Sequence, residues 1–216
     1  MSTPTTRLVL VRHGESVAQV EGFLSGHDTC RGLSGHGRRQ VGALRDRLLA
    51  TGELGTVDSV FTSILERTIE TAAILAPVLG NRPPSAECDW CELHVGEAEG
   101  LTWEEFRGRY PGGDAWDPFL QLSPGAESWA EFFVRAGARL RRVAFEHAGE
   151  TVVVVCHGGI VGASFVALGD LPIHQGPKLV RETVNASLTE WCHDGNGWRL
   201  GRFNDAAHVA ALDAVG

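Results

Sequence analysis

Residues 8–16 read LVLVRHGES: four aliphatic side chains in succession, then an arginine, a histidine and a glycine with no spacer. A continuously apolar run this short marks a strand buried on both faces, as in parallel sheets covered by helices. Similar runs recur at residues 57–61 (VDSVF) and 151–159 (TVVVVCHGG). Between them, apolar positions return at helical spacing. Ser34 is placed to N-cap a helix through Val41, Leu44 and Leu48 that ends near Gly52, and Leu65, Ile69, Ala72, Ala76 and Leu79 mark a second. Trp129, Phe132, Phe133, Ala136, Leu140, Val143 and Ala144 mark a third, of about five turns. A fourth runs from Gly159 to about Leu168, and two extended stretches, Leu179–Val184 and Ser187–Cys192, follow. Strands alternating with helices predict an α/β fold, a three-layer α/β/α sandwich on a mostly parallel sheet. The length of 216 residues suits one domain, with a helical cap inserted at about residues 93–150.

The net charge of −8 argues against a nonspecific nucleic-acid or anionic-membrane binder, which needs a basic face. Lys178 is the only lysine, so an anion site here would be built from planar guanidinium groups that grip phosphate oxygens in pairs. The first apolar run is cut by Arg12 and is too short for a signal-peptide core, and no stretch approaches the roughly 20 apolar residues that span a bilayer. A cytoplasmic protein is expected. The five cysteines, odd in number and scattered, suit reduced thiols. Nothing in the sequence decides the oligomeric state, and it leaves room for a homodimer.

In open α/β sheets the ligand lies outside the carboxyl ends of the strands. The first strand is followed by Arg12, His13 and Gly14, the second by Ser63 and Arg67, and the third by His157, Gly158 and Gly159. Two histidines, two arginines and glycine-flanked turns therefore meet at one edge, and each has work to do on a phosphate. A neutral imidazole attacks phosphorus, and paired arginines hold the non-bridging oxygens. Glycines let backbone amides approach the anion, next to a helix N-terminus. The leaving oxygen also needs a proton. Glu92, Glu97 and Glu99 in CELHVGEAEG (residues 91–100) are candidates, since a carboxyl desolvated beneath a cap has its pKa raised. Spacing does not choose among the three.

With these residues in view, the chain resembles the histidine phosphatase superfamily, in its phosphoglycerate mutase-like branch. LVLVRHGES, TSILERTIETA, CELHVGEAEG and VVVVCHGG match in order, with VNASLTEW as a weaker fifth block. The resemblance implies that His13 is the nucleophile, that Arg12, Arg67 and His157 complete the phosphate pocket, and that Glu92 is the proton donor. It further implies transfer through a phosphohistidine without metal or other cofactor, on a small phosphorylated substrate. Gly14, Gly158, Gln19 and Asn185 join the substrate-binding set. Gln19 stands where the family often has asparagine, the loop LSGHDTCRGLSGHG is longer than usual, and Ala98 and Ala126 replace a frequent tryptophan and glycine. All four departures touch the rim or cap and bear on substrate choice.

The leading expectation is a phosphomonoesterase. One alternative is a phosphoglycerate mutase, but the segment 93–150 lacks that group's strongly basic insertion; Arg107, Arg109, Arg139, Arg141 and Arg142 are read as solvated helix faces. Another is a catalytically silent binding module, against which the full set of site residues counts. Zinc is suggested by Cys88 and Cys91, but their partner pair, His27 with Cys30, has no recognised form, so no metal is expected. Trp90, Trp103, Trp116 and Trp129 are read as packing the cap, and His94 as a substrate contact or a rim residue.

Overall fold

β4 (Thr151–Cys156) lies at the centre of a six-stranded sheet, which explains its four successive valines. The computed structural model describes residues 5–111, 117–176 and 183–213. β4 pairs in parallel with β1 (Thr6–Arg12) on one side and with β2 (Ser59–Thr62) on the other. The sheet order is β3-β2-β4-β1-β5-β6, with β3 at Ser85–Ala86, β5 at Leu188–His193 and β6 at Trp198–Asp205. β5 is antiparallel to both its neighbours, so five strands run one way and β5 runs against them.

Side chains alternate across the sheet with a period of two, and each face is covered by helices. Val9, Val11, Val153 and Val155 pack under α2 (Gly35–Thr51), α3 (Glu66–Leu75) and α7 (Ala207–Asp213) through Val41, Leu44, Leu75 and Val209. Leu8, Leu10, Val152 and Val154 pack under α5 (Trp129–Glu146) and α6 (Gly158–Ala167) through Phe132, Leu140, Ile160 and Val161. This is the three-layer sandwich expected from the sequence. The caps follow the sequence: Ser34 accepts from Gly37 N–H to start α2, and Ser128 and Glu131 form a reciprocal capping box at the start of α5. α1 (Val17–Glu21) starts with the same device, from Ser16 and Gln19.

Three elements differ from the sequence reading. α5 falls within the expected cap insertion at 93–150, yet Phe132, Ala136, Leu140 and Val143 lie fully buried against the sheet, so it is a core helix. The excursion from the sheet runs between His94 and Glu127, and its described residues are 94–111 and 117–127. His94 C=O and Glu127 N–H close its neck at 2.8 Å, and it has a small core of its own, Val95, Ala98 and Phe106 packed with Leu24. Its one α-helix among the described residues is α4 (Trp103–Arg109). Gly96, at φ +54°, sits in the neck against Pro124 and Ala126, where a Cβ would collide with their backbone. β6 and α7 were not foreseen. β6 is a sheet-edge strand of mainly half-exposed residues, with no apolar alternation to give it away. The stretch expected at Leu179–Val184 lies mostly outside the described residues, as does Trp116.

Trp90 is fully buried in the sheet core, Trp129 packs on Phe132 and Phe133, and Trp103 is about half exposed.

Candidate active site

β1 and β4 run parallel in register, Arg12 opposite Cys156, so the residues that follow them emerge side by side. His13 and His157 meet there with ring centroids 5.1 Å apart, nearly edge to face. β2 ends at the same edge. Through the Ser63 turn it delivers Arg67 in the first turn of α3, where this arginine is only 5% exposed. Arg12, His13, Arg67 and His157 are thus brought together as the sequence predicted.

The hydrogen bonds fix which ring nitrogens carry protons. His13 Nδ1 lies 2.6 Å from the carbonyl oxygen of Gly14, which can only accept, so Nδ1 is protonated and Nε2 keeps its lone pair. Arg67 Nε can only donate, and it donates to His157 Nδ1 at 3.2 Å; His157 therefore carries its proton on Nε2 and gives it to Ser63 Oγ at 2.8 Å. Ser63 in turn lies 2.7 Å from Thr68 Oγ1. Burial first, then the charges of Arg67 and Arg12, hold His13 well below the usual histidine pKa, so it is a neutral base. Burial, followed by Arg67, does the same to His157.

Arg12 is fixed through Nη1 to the Thr183 carbonyl, while its buried Nε has no hydrogen-bond partner among the described residues. A buried donor left in this state costs about 1–3 kcal/mol until something accepts from it, and an anion would. Burial lowers the guanidinium's pKa; Glu92 nearby raises it and Arg67 lowers it further.

Of the three carboxylates, Glu92 is the one placed beside this cluster. Its Oε2 accepts from Gly159 N–H at 2.9 Å, at the N-terminus of α6, and its charge is felt by Arg12. A Cβ on Gly159 would collide with Glu92 Oε1, so this glycine makes room for the acid. Glu99 is committed elsewhere, accepting from Asp28 N–H (2.7 Å), Thr29 N–H (2.9 Å) and Thr29 Oγ1 (3.0 Å). Glu97 faces Arg109 and Tyr110 on the excursion's exposed side. A cavity of about 270 Å³ opens beside Glu92, lined also by Ser25, Leu65, Leu93 and Val95.

The remaining expected residues sit around this centre. Gly158 opens α6 directly after His157. Gly14 N–H reaches Thr71 Oγ1 at 3.4 Å, and a Cβ at Gly14 would collide with the Gly37 carbonyl and Val41, so packing against α2 demands this glycine. The side-chain amides of Gln19 and Asn185 face each other, and Asn185 Nδ2 also donates to the His13 carbonyl at 3.1 Å. Gln19 is held further by its part in the α1 capping box. The sequence reading did not foresee Thr183, or Arg135, whose guanidinium binds the carbonyls of Cys88, Asp89, Cys91 and Glu92 and so shapes the segment that carries the acid. No local pattern marks either one.

The histidine phosphatase superfamily model (branch 1) matches residues 8–206. The chain belongs to this superfamily. Among relatives, phosphoglycerate mutase-like protein 4 of Arabidopsis thaliana is 28% identical over 94% of this chain and 86% of its own. The metal-independent phosphoserine phosphatase of the same plant is 28% identical over 98% and 87%. A mycobacterial glucosyl-3-phosphoglycerate phosphatase solved in complex with VO3 superimposes with a TM-score of 0.77, at 28% identity over 92% of this chain and 98% of its own. Fold, family and relatives together make this histidine phosphatase superfamily member a phosphatase enzyme. Among its described residues, no helix is long and apolar enough to cross a membrane.

Proposed function

We propose that the enzyme hydrolyses a small phosphate monoester in two steps, with His13 as the nucleophile. The observation that carries this reading is the tautomer of His13: with Nδ1–H tied to the Gly14 carbonyl, the lone pair of Nε2 is the reactive end of a neutral, buried imidazole beside two guanidinium groups. Nε2 attacks phosphorus, and the bond from phosphorus to the leaving oxygen breaks as Glu92 gives that oxygen its proton. Water then attacks phosphorus, the bond from phosphorus to His13 Nε2 breaks with its electron pair returning to the nitrogen, Glu92 takes the water's proton, and inorganic phosphate leaves. Arg12 and Arg67 hold the non-bridging oxygens as charge develops on them. His157, with both ring nitrogens engaged, acts by orienting Arg67.

Phosphatase rather than mutase activity is supported by the pairing of three cations, Arg109 at the end of α4 and Arg139 and Arg142 on α5. Arg139 pairs with Glu87, Arg142 with Glu146 and Arg109 with Glu97, which leaves these three committed to carboxylates rather than to a second phosphate. Phosphoserine and a glycosylated phosphoglycerate, the substrates named by two of the relatives, head the candidate list. The test is phosphate release from a panel of such esters by the wild type and by His13→Ala, with alkaline quenching to trap an acid-labile, base-stable phosphoprotein. Release that persists in His13→Ala would refute the assignment. So would efficient isomerisation of 3-phosphoglycerate in the presence of 2,3-bisphosphoglycerate with little free phosphate.

A further inference from the structure

Four side chains that play no part in the reaction above converge next to Glu92: His27, Cys88, Cys91 and His94, three of which line the same cavity as Glu92. One potential ligand atom from each lies within 4.8 Å of all the others. Cys88 Sγ is 3.4 Å from His27 Nε2 and 3.6 Å from His94 Nε2. On a tetrahedral zinc, with Zn–S near 2.3 Å and Zn–N near 2.0 Å, a sulfur and a nitrogen stand about 3.5 Å apart and two sulfurs about 3.8 Å. The four groups therefore already hold nearly the spacing of one coordination shell.

Local structure explains how three of them align. Cys88–Trp90 is a single 3-10 turn, in which residues three apart eclipse, so Cys91 comes beside Cys88; the chain then extends to bring His94 back. His27 arrives from the loop after α1, 61 residues earlier than Cys88. That loop also holds Cys30, which the sequence suggested as His27's fellow ligand, but Cys30 lies against Arg67 Nη1 at 3.4 Å. The true fourth member, His94, sits on the far side of Glu92 in sequence.

The surroundings are those of a metal site. His94 Nδ1 faces Glu127 Oε2 at 3.6 Å while its Nε2 points at Cys88, the carboxylate–histidine arrangement that orients a metal-bound imidazole. Glu127 is itself held by Arg135 through two contacts of 2.7 Å, and the same arginine binds the Cys88 and Cys91 carbonyls. Two thiolates, two neutral imidazoles and a divalent cation sum to zero charge, which suits a half-buried position.

We infer that His27, Cys88, Cys91 and His94 form a structural zinc site of the Cys2His2 class. All four positions are filled by protein, so no vertex is open for substrate or water, and the reaction at His13 runs without it. Its effect is to cross-link the loop after α1 to the segment that carries Glu92. The site stands independently of the proposed reaction.

The test uses the full chain, expressed with zinc in the medium and dialysed against metal-free buffer. Elemental analysis should find one zinc per chain in the wild type and in Cys192→Ser, a thiol remote from the cluster, and less than a tenth of that in Cys88→Ser and His94→Ala. Cobalt(II) added to the stripped wild type should give the visible bands of a tetrahedral ion with thiolate charge transfer in the near ultraviolet. Saturating zinc should raise the melting temperature of the stripped protein by roughly 10 °C. A wild-type protein that retains no zinc and shows neither the cobalt spectrum nor the thermal shift overturns the inference without reference to any variant. Zinc retained at full stoichiometry by both cluster variants does so too.

Discussion

Gln19 and Asn185, 166 residues apart in sequence, hydrogen-bond each other through both halves of their amides at 3.1 Å, and Asn185 passes the connection on to the main chain of His13. The backbone of His13 is thereby fixed from the side of β5. Replacing either residue by alanine should lower kcat by about tenfold, the worth of one to two hydrogen bonds, with KM changing less. The two losses should not add: a double-mutant cycle on kcat should give a coupling of about 0.5–1.5 kcal/mol. Additive effects would mean that the two amides act separately.

Ser63→Ala removes the acceptor for His157 Nε2–H, and both residues are fully buried. The orphaned donor should cost about 1–3 kcal/mol of stability in urea unfolding. Arg67 loses its oriented partner, so KM for the phosphate ester should rise as well. Unchanged stability and unchanged KM would remove Ser63 from the positioning chain.

Gly159→Ala pushes a methyl group toward Glu92 Oε1 and to 2.8 Å from Phe132 Cζ. If Glu92 supplies the leaving-group proton, a displaced carboxyl hurts alkyl phosphates most, because an alkoxide leaves poorly without a proton. The expected loss in kcat is about a hundredfold for an alkyl phosphate, against about threefold for p-nitrophenyl phosphate, whose leaving group needs little help. Equal losses on both substrates would point to a role in binding alone.

Stability should fall as the solution is acidified from pH 7 to 5. His13 and His157 are held neutral in the folded state, their pKa values pushed well below 6.5 by burial and by the neighbouring arginines, whereas in the unfolded chain they take up protons near that value. Below it the unfolded state binds more protons, so protonation favours unfolding. The cost approaches about 1.4 kcal/mol per pH unit for each histidine. Urea unfolding at intervals of half a pH unit measures the slope, to which His94 and His208, also lowered by burial, contribute in the same direction; His13→Asn should reduce it by up to about 1.4 kcal/mol per pH unit. A flat profile between pH 7 and 5 would show that these imidazoles are charged in the native protein.

The strands that deliver the pocket were legible because β1 and β4 are buried on both faces, and a run of valines or leucines has few other places to go. Arg12, His13, Arg67 and His157 were legible for a related reason: each follows a strand that ends at the site. Asn185 is different in kind. β5 runs antiparallel and begins where the others end, so its contribution precedes the strand, where reading forward from each strand does not look. Spacing left Glu92, Glu97 and Glu99 open and only the family resemblance named Glu92; the physical ground for it is an α6 amide 67 residues away. The cysteine pair at 88 and 91 was visible, but its completion by His27 and His94 is a product of tertiary folding. Local spacing favoured Cys30, which the fold turns toward Arg67.

The neck at His94 and Glu127 closes the excursion through both main chain and side chain, since the His94 N–H also donates to Glu127 Oε2 at 3.0 Å. Beyond the neck it is tied to the loop at residues 22–29, through Leu101 and Trp103 main-chain bonds and through Glu99. Closing a longer or shorter loop over such a neck changes the entropy of closure only slightly. A stretch borrowed from another member of the superfamily, grafted there with Glu99 and Leu101 kept as its bonds to the 22–29 loop, could retune which ester is accepted while leaving the phosphate machinery untouched.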